Sequence, residues 1–88
     1  MADLNETLKE RGARYGKFRD MAAAARELQC TISSNSCPEL ASDQELALDM
    51  ICVKIARIIT GDPNYSDSWH DIAGYAKLVA DRLDGIEQ

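Results

Sequence analysis

Two pairs of carboxylates stand at helical spacing in the second half of the sequence, Glu45 with Asp49 and Asp67 with Asp71. Side chains four residues apart project from one face of a helix. Acidic pairs on facing helices are how a bundle holds magnesium, since hard cations take carboxylate oxygens. Such a site would activate water for attack on a phosphoryl group. Between the pairs, Lys54 and Arg57 emerge from a largely apolar stretch. Burying a charge alone is costly, so these two need partners, and Asp67 and Asp71 can supply them. An Arg–Lys–Asp cluster can also receive a phosphate or a nucleotide. The candidate ligand-binding set is therefore Lys54, Arg57, Asp67 and Asp71, with Tyr75 beside them. The candidate magnesium set is Glu45, Asp49, Asp67 and Asp71.

Other chemistries find fewer residues. His70 is the single histidine, on a polar face where solvation is expected, so no hydrolytic triad assembles around a serine or cysteine. Gly12 and Gly16 match neither dinucleotide nor Walker spacing. Trp69 and Tyr75 could stack a base, although their helical spacing reads first as core packing. Three cysteines, Cys30, Cys37 and Cys52, include no Cys-x-x-Cys and leave a structural zinc site short of ligands. They read as reduced thiols, with a Cys30–Cys37 bridge allowed by spacing. A net charge of -5 without a basic stripe argues against binding DNA or RNA. The acidic N-terminus has no signal-peptide core, and Leu46 to Ile59 is too short and too charged to span a bilayer. A cytoplasmic protein is expected.

The elements that must position these residues are helical. In 88 residues, 45% hydrophobic but only 6% aromatic, alanine, leucine and isoleucine dominate, which favours helices packed on helices. Asp3 to Glu6 has capping-box form and predicts a short helix ending near Arg11, with Gly12 stopping or bending it. Tyr15 and Gly16 then read as a connector. Phe18, Met21, Ala25 and Leu28 share a face of a second helix, from Lys17 to about Gln29. Residues 31–41 read as the main loop, on Ser33, Ser34, Asn35 and Pro38. Ser42 to Glu45 predicts another capping box, opening a helix to Thr60. Ala47, Leu48, Ile51, Cys52, Ile55, Ile58 and Ile59 form one broad face of it. Leu46, Met50, Val53 and Ala56 interleave with charges on the other. Gly61 to Asn64 is a turn, and Ser66 caps a last helix to Leu83. Its apolar face runs from Trp69 through Ile72, Tyr75, Ala76 and Val79 to Leu83, with His70, Lys77 and Asp81 opposite.

The expected fold is all-α, a single domain of residues 1–88. Residues 1–30 form N-terminal helices, and an antiparallel hairpin over 42–83 is the core. A helix apolar on nearly all sides must be covered on nearly all sides. One short chain can hardly do so, which predicts a homo-oligomer with the third helix at its centre. A turn centred near Pro63 sets Asp71 level with Ile55 and Asp67 level with Ile59. Asp49 and Asp67 are then displaced by roughly 15 Å, at ~1.5 Å rise per residue. One chain cannot close the four carboxylates on one metal; a second subunit would be needed.

Lys54 to Ile58, then Gly61-Asp62-Pro63, then Asp67-Ser68-Trp69-His70-Asp71-Ile72-Ala73-Gly74-Tyr75-Ala76 resembles the signature of small phage and prophage proteins of uncharacterised function. Leu8 to Gly12, with Tyr15, Gly16 and Phe18, is similar to the opening of that family. The resemblance implies a phage-encoded accessory protein in a bacterial cytoplasm, and no reaction. A weaker similarity connects the acidic hairpin to MazG-like nucleoside triphosphate pyrophosphohydrolases, which implies magnesium. Three functions follow. One is a non-enzymatic accessory protein, without cofactor, that binds a host protein or a small nucleotide. Another is a magnesium-dependent pyrophosphohydrolase, and a third is a structural homo-oligomer without ligand.

Overall fold

The computed structural model describes residues 3–35 and 39–87. Within them the chain forms four α-helices and no strand: α1 (Leu4–Tyr15), α2 (Phe18–Asn35), α3 (Ser42–Thr60) and α4 (Ser66–Leu83). This is the small all-α bundle that the composition implies. Cys37 and Pro38 lie outside the described residues, and the Cys30–Cys37 pairing with them.

Local chemistry moves several boundaries. α1 passes through Gly12, where a glycine costs about 1 kcal/mol, and stops at Gly16, whose φ of 77° suits a residue without Cβ. Asp3 is its N-cap residue but makes no side-chain cap bond. α2 continues through Asn35, across the first part of the expected loop. Thr31 Oγ1 donates to the Glu27 carbonyl and Asn35 Nδ2 to that of Thr31, so these turn-forming side chains bond back along a helix instead. At α3, Gln44 Oε1 accepts the Ala41 N–H at 2.8 Å, the returning half of a capping box. Ala41, not Ser42, stands at the cap, and Tyr65 takes that place for α4.

α3 is the centre of the molecule and touches every other helix. α2 and α4 flank it, and no Cα of one lies within 8 Å of a Cα of the other. The helices thus make an open layer, α2–α3–α4, with α1 laid across one end. The buried apolar residues are few and mostly small: Ala25, Ala47, Cys52, Ala56 and Ile58. Ala56, expected among charges, is fully buried, because that side of α3 is also covered. Conversely Ile59 and Trp69, expected in the core, are 65% and 54% exposed. Trp69 is held by its indole, which donates to the Pro63 carbonyl at 2.9 Å. Asp81, expected on a polar face, is buried beside Lys77 at 3.0 Å.

Two ion pairs join α3 to α4 and set the hairpin's register. Lys54 Nζ meets Asp71 at 3.0 Å, and Arg82 grips both oxygens of Asp43 at 2.8 and 2.6 Å. Both pairs are symmetric about a point between Asp62 and Pro63, within one residue of the expected turn. Arg82 holds the Asp43 carboxyl below the ordinary carboxylate range.

Backbone crosses backbone where α1 meets the hairpin. A Cβ on Gly16 would stand 2.0 Å from the Thr60 carbonyl oxygen, and one on Gly61 2.4 Å from the Tyr15 carbonyl carbon. The closeness lets the Asp62 N–H donate to the Arg14 carbonyl at 2.7 Å. Thr60 Oγ1 lies 3.3 Å from the Tyr15 carbonyl as well.

Two outcomes test this frame. Gly61→Ala forces the two backbones apart and lowers unfolding stability by roughly 1–3 kcal/mol, the usual cost of overpacking. A denaturant melt equal to wild type excludes the crossing. The second concerns Asp43. A carboxyl whose folded pKa is depressed stabilises the protein above the unfolded value, about 3.9, and loses that effect as pH falls through the folded value. Asp43→Asn therefore melts below wild type at pH 7, and the gap closes at lower pH. A gap that stays constant down to about pH 2 removes the pair from the acid dependence.

Candidate functional site

The five candidate ligand-binding residues take different partners, and no one cleft is lined by all of them among the described residues. Lys54 is buried and committed to Asp71 across the hairpin. Tyr75, half-buried, borders two shallow clefts with Leu78, and Asp71 lines one of them with it. Arg57 and Asp67 lie near the turn, and their partners are tyrosines rather than each other. The Arg57 guanidinium sits over the Tyr15 ring at 4.6 Å. Asp67 Oδ2 accepts the Tyr65 hydroxyl at 2.8 Å.

The acidic residues of the magnesium set are likewise dispersed. Glu45 and Asp49 border a small cleft of about 190 Å³ with Ile32, Ser33, Leu40 and Leu48. Asp67 and Asp71 stand toward the other end of the hairpin, with Tyr65 and Lys54. Among the described residues, no three His, Cys, Asp or Glu side chains converge on a point. Within one chain the carboxylates cannot share an ion. Cys52 offers no nucleophile, because burial pushes its thiol up and the Asp49 charge adds to the effect.

What the fold does gather is a cluster at the turn end. Gly16 and Gly61 bring the end of α1 against the end of α3. Tyr15 and Tyr65 then meet edge to face, with ring centroids 5.9 Å apart. Three arginines surround the two rings. Arg57 lies on one side of the pair, Arg11 stands 5.6 Å from the Tyr15 centroid, and Arg14 is 4.5 Å from that of Tyr65. Cations over ring faces are attracted by the quadrupole, so the arrangement holds without counter-ions. Among the described residues, none of the three guanidiniums is in an ion pair. The Arg57 Nε is buried and has no hydrogen-bond partner. Buried polar atoms almost always have one, so each exception calls for a reason. Asp67 marks the acidic edge of the cluster. Its hydrogen bond, first, and then burial hold the Tyr65 hydroxyl protonated above its ordinary range.

Chemically the cluster offers planar cations with unused N–H groups, backed by two tyrosine rings, and one carboxylate. Arg and Tyr stack on flat rings, and guanidiniums bind phosphate oxygens two at a time. Sequence reasoning found Arg57 and Asp67 but missed Tyr15, Tyr65, Arg11 and Arg14. Arg11 and Tyr15 are four residues apart, one helical face, and read as such only once α1 runs past Gly12.

No curated protein and no solved structure is similar enough to the chain to match it. A family model described as a domain of unknown function, DUF6378, matches residues 2–83. That is nearly the whole chain, including every residue of the turn-end cluster, and the protein belongs to this family.

Proposed function

We propose that the chain is a small phage-type accessory protein that binds a small nucleotide, without turning it over, at the Tyr15–Tyr65 cluster. The observation that carries this reading is the group of three guanidiniums without counter-ions around two tyrosine rings, one with a buried, unpartnered Nε. In a chain of net charge -5, three arginines converging with no carboxylate paired to them mark a local preference for anions. A phosphate supplies the missing acceptors, and a base supplies a flat ring for the exposed guanidiniums of Arg11 and Arg14. Asp67, through Tyr65, fixes the second ring and leaves a carboxylate for a base amine or sugar hydroxyl. By sequestering such a ligand, a phage protein would modulate a host nucleotide pathway. The sequence resemblance supports the phage setting. The magnesium-hydrolase alternative draws no comparable support, because its carboxylates are spread along the hairpin and two already have partners.

Calorimetric titration with nucleoside mono-, di- and triphosphates, with and without magnesium, tests the reading. Binding is expected without magnesium, and Arg14→Ala should weaken it at least tenfold, with Arg57→Lys close behind because an ammonium cannot stack or fork. At a hundred times its dissociation constant, the ligand stabilises by about 2.7 kcal/mol. That raises the melting temperature by about 10 °C or more in a domain of this size. No heat and no melting shift with any nucleotide up to millimolar sinks the site. Binding that requires magnesium, with pyrophosphate released, replaces it by the hydrolase.

A further inference from the structure

Among the described residues, the open layer leaves one broad face of α3 and α4 without a helix packed on it. On α3 the apolar residues of this face are Leu48, Ile51 and Ile55, half-buried, and Ile59, exposed. On α4 they follow a spacing of four and three, from Trp69 through Ala73, Ala76 and Ala80 to Leu83, and all are exposed. Alternating steps of four and three are the seam of a helix that packs against another along its length. The two stripes share a face: one cleft of about 340 Å³ is walled by Leu48 and Ile51 on one side and by Ala76 and Val79 on the other. Among the described residues, no charged side chain borders that cleft. Small alanines between a tryptophan and a leucine make a flat surface that another helix can approach closely.

The surface area says how much cover is missing. The chain exposes 6483 Å², whereas a compact monomer of 9.7 kDa exposes about 5,100 Å². Its radius of gyration is 14.9 Å, against about 12 Å for a compact domain of this length. The excess of roughly 1,400 Å² exceeds the ~800 Å² per partner of a standard interface. A second copy fits this need better than an unrelated partner. The seam is self-complementary in kind, apolar on both helices, and a two-fold dimer sets the same patch against itself.

We infer that a second copy of the chain covers the α3–α4 face, two hairpins closing into a four-helix bundle with Ile51 and Ala76 near its middle. The bundle supplies the cover that α3 lacks in one chain, and it buries Trp69, the one tryptophan of the sequence.

Sedimentation of the wild-type chain at tens of micromolar is expected to give twice the mass of one chain. On dilution, Trp69 emission should shift to the red as the dimer parts. A mass of one chain at that concentration overturns the proposal, and this measurement needs no variant that might fail to fold. Ala76→Glu and Ala80→Glu, both at exposed helical positions, locate the face. Each should keep its helical circular dichroism and become monomeric, while Phe18→Ser, on an exposed apolar residue of α2, leaves the dimer intact. A dimer that survives both alanine substitutions, or that Phe18→Ser abolishes, places the contact elsewhere and overturns the face.

Discussion

Everything in this molecule is arranged around one helix that is apolar on more sides than its own chain can cover. α3 carries isoleucine, leucine, valine, methionine and alanine around most of its circumference, and each uncovered methylene costs about 0.8 kcal/mol relative to burial. α2 takes one flank and α4 the other. They cannot also touch each other, because α3 stands between them. A closed bundle would need a fourth long helix over the open face. α1 has only 12 residues and crosses at one end, where two glycines let its backbone lie directly on that of α3 and the turn. The thin core of small side chains is the consequence, since a layer one helix deep encloses little volume.

The same constraint decides what the charges do. Lys54 leaves α3 toward α4 and is buried, so it needs an acid on α4, and Asp71 stands at that level. Arg57, one turn later, reaches the region where α1 crosses. There the Tyr15 ring centroid lies 4.6 Å from its guanidinium. A ring face stabilises a guanidinium without neutralising it. Arg57 is therefore held in position yet keeps its charge and a spare N–H, while Asp67 turns to Tyr65. One turn of helix separates a charge spent on structure from one that is still available.

Those two charges also mark how far the sequence could be read. The hairpin, its turn and its register were legible because each rests on local signals: an apolar period, a Gly-Asp-Pro break and a level count across an antiparallel pair. The Lys54–Asp71 pair followed directly. Arg57 with Tyr15 did not, because the contact spans the chain and depends on Gly16 and Gly61 having no Cβ, which spacing does not reveal. Gly12 misled in the opposite direction. In a helix whose surroundings are open, its modest cost is outweighed by the turns on either side. The period of Trp69 predicts a core position, and the period is real. A seam at that spacing states that something packs against it and leaves open whether the partner belongs to the same chain.

That distinction relates the two inferred surfaces. At about 100° per residue, Arg57 projects from the opposite side of α3 to Leu48 and about 120° away from Ile51. The open apolar face and Arg57 of the Tyr15–Tyr65 cluster therefore leave α3 in different directions. A dimer closed through Ile51 and Ala76 covers the first without using Arg57. Closure would still bear on binding. Arg57 and Ile58 are neighbours on one helix, and firm cover over the isoleucine side limits how far the end of α3 can fray. The guanidinium then stays over its ring, and the cost of ordering it is met by packing before a ligand arrives.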